Sequence, residues 1–510
     1  MTFAARQTPG SASPWPIRIV PLNARGDVVL GLVVFALTAI GAWHVSPWLD
    51  EAATAHIVSY PTWDMIQLWH GNQWWPHGID LALAPYYMVV HQWVRVVGIT
   101  PFTLRLPSVL AATVGTVTMA AVGRRFAHRR GQLTYAACYG LLPRTTAMAI
   151  EARPYALSSM FVAVALLLIL LYKSHPSWLR WIGIVLAMVA AMAMQIYAAF
   201  PLAGLVIVGW LVCQRRHRWG VVLAGVVAAG FICPFAWAIS KQIGQTEWLG
   251  DYKSNSLIDR FLVESWATSR VNEAPYSSDQ IPNVIAICTA AIAAALLVTV
   301  LIESRGRGTR RFLLALIPVA LSVGVMWVLT VTAAPFFASR YLSAAAPFFA
   351  MMLAEAVLLS RGRLAKTLIV VLAVGSLVLY GFQQRTYSKS SYDLSLMATV
   401  IDERAAAGDG FLIDPVGAIV GSYRNAVAVD PGAFAPLIDL AQPSRPPLIQ
   451  PWPIDPPLLD LANQNWLPPR IWVASLIGAP DIYGAQLYSL GFHDVYAKSG
   501  SGHIITLWER

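Results

Sequence analysis

Leu81-Ala82-Leu83-Ala84-Pro85-Tyr86-Tyr87-Met88-Val89-Val90-His91-Gln92-Trp93-Val94-Arg95-Val96-Val97-Gly98 is the stretch whose reading decides the fold. It is apolar enough to cross a bilayer, yet it carries His91 and Arg95. Around it lie apolar runs of about 17 to 25 residues, the length that crosses a bilayer as a helix. They fall near 28–46, 104–122, 131–149, 155–171, 182–198, 201–213, 220–239, 283–302, 312–331, 342–359 and 367–384. Between the runs sit basic clusters: Arg124, Arg125, Arg129 and Arg130; Lys173 and Arg180; Arg215, Arg216 and Arg218; Arg305, Arg307, Arg310 and Arg311; Arg361, Arg363 and Lys366. Cytoplasmic connections carry the Lys/Arg excess of a membrane protein. If 81–98 crossed, the Arg124–Arg130 cluster would face outside and every later cluster would change sides. The stretch is therefore read as an amphipathic helix in the interface plane, with Tyr86, Tyr87 and Trp93 at the headgroup boundary. Every cluster then becomes cytoplasmic, the N-terminus lies inside, the C-terminus outside, and the chain has about eleven spans.

Composition agrees with that reading. Of 510 residues, 57% are hydrophobic and 12% charged, and the mean hydropathy is +0.57. So few charges would not cover a soluble globule. The net charge of +10 is distributed in the clusters above and not in a stripe, which excludes a nucleic-acid partner and leaves membrane lipids as the counterpart. The abundance of Arg over Lys points to a GC-rich bacterial genome, hence a bacterial plasma membrane. No cleavable signal is expected, because Asp27 precedes a span too long for a signal core and no small-residue cleavage site follows. The four cysteines, Cys138, Cys213, Cys233 and Cys288, lie in apolar runs without metal-type spacing and receive no role.

The expected architecture is a polytopic α-helical membrane protein: a tail over 1–27, a transmembrane domain over 28–384 with a long first outer loop at 47–103, and an extracytoplasmic α/β domain over 385–510. In that last domain, Gly410–Asp414, Ala426–Asp430, Arg470–Ser475 and His503–Trp508 read as strands, and Asp393–Ala406 and Ile482–Leu490 as helices. It has no glycine-rich phosphate loop, so no nucleotide chemistry is expected of it.

On this topology the acids and the arginines outside the clusters converge on one face. Trp48-Leu49-Asp50-Glu51 places two carboxylates directly after the first span, where ionisable groups are costly and functional by default. Asp50 is the candidate general base, its basicity expected to be raised by burial and by Glu51; the alternative is that the pair caps an interfacial helix. Glu151-Ala152-Arg153-Pro154-Tyr155 brings an acid, a fork donor and a phenol into one outer turn, and Arg340-Tyr341 supplies a second arginine and phenol. A guanidinium suits phosphate because it donates two hydrogen bonds at once; the alternatives are a local ion pair and interfacial anchoring. Asp80 with Tyr86 and Tyr87 places an acid near two aromatics that either stack on a sugar or belong to the membrane belt. His70 and His77 flank Gln73-Trp74-Trp75-Pro76 but lack a third ligand, so no metal site is assigned and no cofactor is called for, although a divalent cation stays compatible. Trp248, in the outer loop after 241, contacts either substrate or lipid.

The ordered set Trp48-Leu49-Asp50-Glu51, Asp80 with Pro85-Tyr86-Tyr87, Leu104-Arg105-Leu106-Pro107-Ser108, Glu151-Ala152-Arg153-Pro154-Tyr155-Ala156-Leu157 and Ser339-Arg340-Tyr341-Leu342 resembles the GT-C superfamily, the multispanning glycosyltransferases that use polyprenyl-phosphate sugars. Similarity is strongest to the branch of protein O-mannosyltransferases and lipid A aminoarabinose transferases, especially actinobacterial cell-envelope mannosyltransferases, over about residues 28–385. The chain departs from the actinobacterial pattern at Leu83-Ala84, where similar sequences carry His-Gly. The resemblance implies a GT-C fold and an EC 2.4 activity: inverting transfer of a sugar, mannose first, from a polyprenyl-phosphate donor to an envelope glycan, glycolipid or protein. It implies Asp50 as base with Glu51 as helper, donor phosphate held by Arg153, Tyr155, Arg340 and Tyr341, and substrate contacts from Asp80, Tyr86, Tyr87 and Glu151. Decaprenyl-phosphate-arabinose is the alternative donor. A transporter or flippase of lipid-linked sugars is the alternative of another class, disfavoured because the spans are largely free of charge and no internal repeat is evident.

Overall fold

The structure, a computed structural model, describes residues 24–67, 81–241, 281–305, 309–332, 338–389, 393–415, 423–442, 455–500 and 502–510. Asp80, His70, His77, the 73–76 loop and Trp248 lie outside the described residues. The membrane body is built from α1 (Ala24–His44), α2 (Leu49–Val58), α3 (Thr62–Gln67), α4 (Ala84–Val97), α5 (Pro101–Gly140), α6 (Pro143–Ala149), α7 (Tyr155–Ser174), α8 (Trp178–Met194), α9 (Ala199–Val212), α10 (Arg218–Ser240), α11 (Ile281–Ser304), α12 (Arg310–Thr332), α13 (Ala346–Leu359) and α14 (Arg363–Gln383). Among the described residues, seven helices are long and apolar enough to cross a membrane, or eight if α1 and α2 count as one bent span.

Proline chemistry sets the breaks. Pro47 follows α1, and α2 then leaves at 90° to it. The bend makes α1 and α2 either a broken span or a re-entrant loop. α5 begins on a reciprocal Thr100–Thr103 cap with Pro101 at its first position. Pro107 inside it leaves the Thr103 carbonyl without its helical donor. Trp93 of α4 supplies one, its Nε1–H donating to Thr103 O at 2.9 Å. α5 doubles back past its spanning part, Pro101–Ala127: a Cβ on Gly131 would lie 2.2 Å from the Gly123 carbonyl oxygen, an approach open only to glycine.

Three expected spans take a different form. The 131–149 run is broken at Leu141–Leu142, because Pro143 disfavours helix in the residue before it and starts α6 afresh. The 182–198 and 201–213 runs correspond to α8, which starts at Trp178 and has 17 residues, and α9, which has 14. The 81–98 stretch is helical from Ala84 to Val97 and too short, at 14 residues, to cross. Its tyrosines do not face outward as belt residues would: Tyr86 and Tyr87 are 0% and 1% exposed. They turn into the core because α4 packs against α2, α5 and α8, while Val96 and Arg95 stay outside.

The basic clusters gather at one end of the bundle. Arg311 lies 4.8 Å over the Phe126 ring, Arg125 feels the charges of Arg124 and Arg180, Lys173 that of Arg310, and Tyr172 pairs with His217. Glu303, beside the Arg305 cluster, accepts the Gly362 N–H that opens α14. The opposite end holds the α1–α2 elbow, the start of α5, the turn between α6 and α7, and the Ser339–Ala345 turn that leads into α13.

The C-terminal domain contains α15 (Leu394–Arg404), α16 (Arg424–Val429), α17 (Pro431–Phe434), α18 (Ile482–Ser489) and strands β1 (Gly410–Ile413), β2 (Ile438–Asp439), β3 (Arg470–Leu476), β4 (His493–Ser499) and β5 (His503–Glu509). The sheet order is β2-β1-β3-β5-β4, with β1 parallel to β2 and β3, and β5 antiparallel to β3 and β4. Alternate residues enter opposite layers, Leu412, Ile471 and Val473 on one side and Phe411, Trp472 and Ala474 on the other. The expected strand at 426–430 is instead α16. Its Ala-Val-Ala-Val sequence favours strand locally, but α16 packs against α2 and buries Arg424, which donates to Asp439 at 2.6 and 3.2 Å. β2 and β4 have no counterpart among the expected strands.

Candidate functional site

α2 starts with Trp48 in extended conformation as its cap, and Glu51 Oε2 reaches back to the Trp48 N–H at 3.4 Å. This is a capping contact, and it belongs to Glu51 and not to Asp50. The two acids therefore point to different partners. Asp50 Oδ2 accepts from Arg153 Nη2 at 2.9 Å and from Arg340 Nη1 at 3.1 Å, so both guanidiniums meet on one oxygen. Oδ1 has no hydrogen-bond partner among the described residues. Arg153 also donates through Nη1 to Tyr87 Oη at 3.1 Å, and the Arg340 guanidinium lies 5.5 Å over the Trp48 ring.

Glu51 is enclosed. Arg105 Nε and Nη2 donate to its two oxygens at 2.7 Å each, Lys389 Nζ at 3.1 and 3.2 Å, and the Ala152 N–H at 2.8 Å. Its side chain is 2% exposed. The Ala152 bond, together with Thr54 Oγ1 donating to Ala152 O and Ser108 Oγ donating to Glu151 O, ties the 150–154 turn to α2 and α5. Arg340 and Tyr341 are held by Gln195, whose Nε2 donates to Tyr341 O at 3.1 Å, and by stacking of Tyr341 on Tyr197 at 4.5 Å. Tyr155 is buried within reach of the charges of Arg153 and Arg340.

Electrostatics reverses one expectation. Burial alone would raise the Asp50 carboxyl, but Arg153 and Arg340 outweigh it and hold Asp50 below the ordinary carboxylate range. Its basicity is lowered, not raised, because two cations sit closer to it than Glu51 can act. Burial likewise opposes Glu51, yet Arg105 and Lys389 pull it down to about 2. The acid that burial does raise is Glu151, pushed up to about 7 with Glu51 and Asp50 adding to the effect against Lys389. Four cations, Arg105, Arg153, Arg340 and Lys389, thus surround Asp50, Glu51 and a Glu151 poised near neutrality. That excess of positive charge suits an anionic ligand.

The chain matches no family model and no curated protein. Among solved structures it is similar to ArnT from Cupriavidus metallidurans in the apo state, with TM-score 0.50 and 13% identity over 95% of this chain and 98% of that one. The chain has the GT-C fold. ArnT bound to undecaprenyl phosphate aligns at TM-score 0.49 and 13% identity over 95% and 97% of the two chains. The Archaeoglobus fulgidus oligosaccharyltransferase, in complex with Zn and sulfate, aligns at 0.41 and 11% over 81% and 61%.

Within the GT-C fold, the structure brings Asp50, Arg153, Arg340 and Tyr87 into direct contact and places Glu51, Glu151, Tyr155 and Tyr341 around them. Tyr86 is fully buried beside them, and its hydroxyl has no partner among the described residues. Among the described residues, no three His, Cys, Asp or Glu side chains form a metal-ligating group, and the acids of the site are met by guanidinium and ammonium groups. Two site residues have no local signal in the sequence: Arg105 stands in Leu104-Arg105-Leu106-Pro107-Ser108 with no neighbouring acid, and Lys389 stands in a Ser/Tyr-rich linker that carries no pattern.

Proposed function

We propose that this protein is an inverting glycosyltransferase that moves a sugar, mannose on the motif resemblance, from a polyprenyl-phosphate donor to a hydroxyl of an envelope glycan, glycolipid or protein. The reaction takes place at the outer face of a bacterial plasma membrane, with the N-terminus and the basic clusters inside and the C-terminal domain outside. The observation that carries the proposal is the pairing of Arg153 and Arg340 on a single oxygen of Asp50. It places a base within one side chain of two fork donors suited to phosphate.

The arrangement works as follows. The donor phosphate competes for the two guanidiniums, so their hold on Asp50 weakens and its basicity rises as the donor binds. Asp50 Oδ1 takes the proton of the acceptor hydroxyl. The acceptor oxygen bonds to C1 of the sugar while the bond from C1 to the phosphate oxygen breaks, and the electron pair leaves on the phosphate. Arg153 and Arg340 stabilise that charge, Tyr87 keeps Arg153 in place, and the proton passes from Asp50 to water after product release. Glu51 acts by holding α2, since its oxygens are already taken by Arg105, Lys389 and the Ala152 amide.

Purified protein given labelled polyprenyl-phosphate-mannose, or the arabinofuranose analogue, and a crude envelope acceptor tests this reading. Donor-dependent glycosidic product from one of them is expected. Movement of the lipid across a vesicle bilayer with no product from either donor would contradict it and favour a flippase.

A further inference from the structure

The linker between the last membrane helix and the C-terminal domain folds back onto the site. At the end of α14, Gln383 accepts from Thr146 Oγ1 at 2.6 Å and donates to Pro143 O at 3.1 Å. Thr386 O then accepts the Ser46 N–H at 2.9 Å, and Ser388 Oγ donates to Gln383 O at 2.7 Å. Lys389 follows. Its Nζ reaches both Glu51 oxygens, at 3.1 and 3.2 Å, and also donates to the Ile150 carbonyl. Beyond it, the Ser395 N–H donates to Ser46 Oγ at 3.3 Å, and α16 packs on α2.

Charge neutralisation does not account for Lys389. Glu51 already has a bidentate guanidinium from Arg105 and a backbone donor from Ala152, which together satisfy a buried carboxylate. Immobilising a lysine side chain also costs rotamer entropy. Lys389 does make a junction that Arg105 does not: one ammonium joins α2, the residue before Glu151, and the linker. The elements it joins carry Asp50 and Arg153, whose 2.9 Å contact forms the core of the site.

We propose that Lys389 is a positioning residue through which the linker and the C-terminal domain hold α2 and the 150–154 turn in register. On this view the domain acts as a clamp on the helix that carries Asp50. The structural part stands alone; its effect on turnover rests on the transferase reading above.

The test uses the full chain in lipid nanodiscs with Lys389→Met and Lys389→Arg. Amide exchange is followed in residues 46–58 and 150–154, with α7 as internal reference, alongside steady-state transfer from polyprenyl-phosphate-mannose. For Lys389→Met, exchange in those two segments should rise about tenfold while α7 stays unchanged. Its kcat should fall about 10- to 100-fold with donor KM within about threefold, the pattern of misplaced and not missing groups. Lys389→Arg should return both readouts to within about threefold of wild type. Unchanged exchange in Lys389→Met overturns the proposal, as does equal loosening of α7, or a loss that appears in donor KM alone. A wild type inactive with this donor and with the arabinofuranose analogue refutes the transferase reading only, because the exchange measurement needs no substrate.

Discussion

Arg105→Met isolates what Glu51 does. Arg105 is 1% exposed, donates to Glu51 at 2.7 Å twice, and donates to the carbonyls of Ala42 at 3.1 Å and Val45 at 2.6 Å. The substitution keeps an apolar stem but leaves two carbonyls and part of a buried carboxylate without donors. Removing one partner of a buried ion pair costs about 3–5 kcal/mol. The lower end applies here, since Lys389 and the Ala152 amide remain on Glu51. A loss of about 3 kcal/mol raises the open population of the α1–α2 elbow about 100-fold. Amide exchange over residues 42–58 in nanodiscs reads that population directly. Exchange in Arg105→Met within about threefold of wild type would refute the reasoning.

Other outcomes follow from the same geometry. Arg340→Lys and Arg153→Lys should each raise donor KM about 10- to 100-fold, because an ammonium cannot reproduce the guanidinium fork; isotope-labelled donor titration checks this. Glu151, raised to about 7 by burial, favours the protonated fold, so its contribution is present below the ordinary glutamate range and lost as pH rises through 7. Melting of Glu151→Gln in detergent should therefore lack the decline that wild type shows between about pH 4.5 and 7. Glu51, lowered to about 2, has the opposite sign: its stabilisation is complete above the glutamate range and lost as pH falls toward 2. Tyr135→Phe leaves Glu355, which now accepts from Tyr135 Oη at 2.5 Å, with Arg311 at 3.7 Å, and should cost about 1–3 kcal/mol in a denaturant titration.

The parts of this fold legible in the sequence are those written as long-range charge and hydropathy patterns. The alternation of apolar runs with basic clusters located the bundle and its basic end, and Asp50, Arg153 and Arg340 stood out as isolated charges beside apolar runs. What stayed hidden depends on packing. Tyr86 and Tyr87 look like belt residues until α4 is laid against α2, when their rings are covered. The span at 131–149 reads as continuous, although Pro143 breaks it. Ala426–Asp430 reads as strand, because nothing local announces that it docks on α2. The sign of the Asp50 shift is hidden because its neighbour in sequence is an acid, whereas its neighbours in space are two arginines some 100 and 290 residues away.

The most direct test of the central claim is single-turnover transfer by Asp50→Asn, paired with donor binding by the same preparation. Asparagine keeps the shape but cannot accept the proton as a carboxylate does, while Arg153 and Arg340 remain to hold the phosphate. The account predicts a transfer rate lower by about a thousandfold with donor binding retained. Full turnover in Asp50→Asn would contradict it.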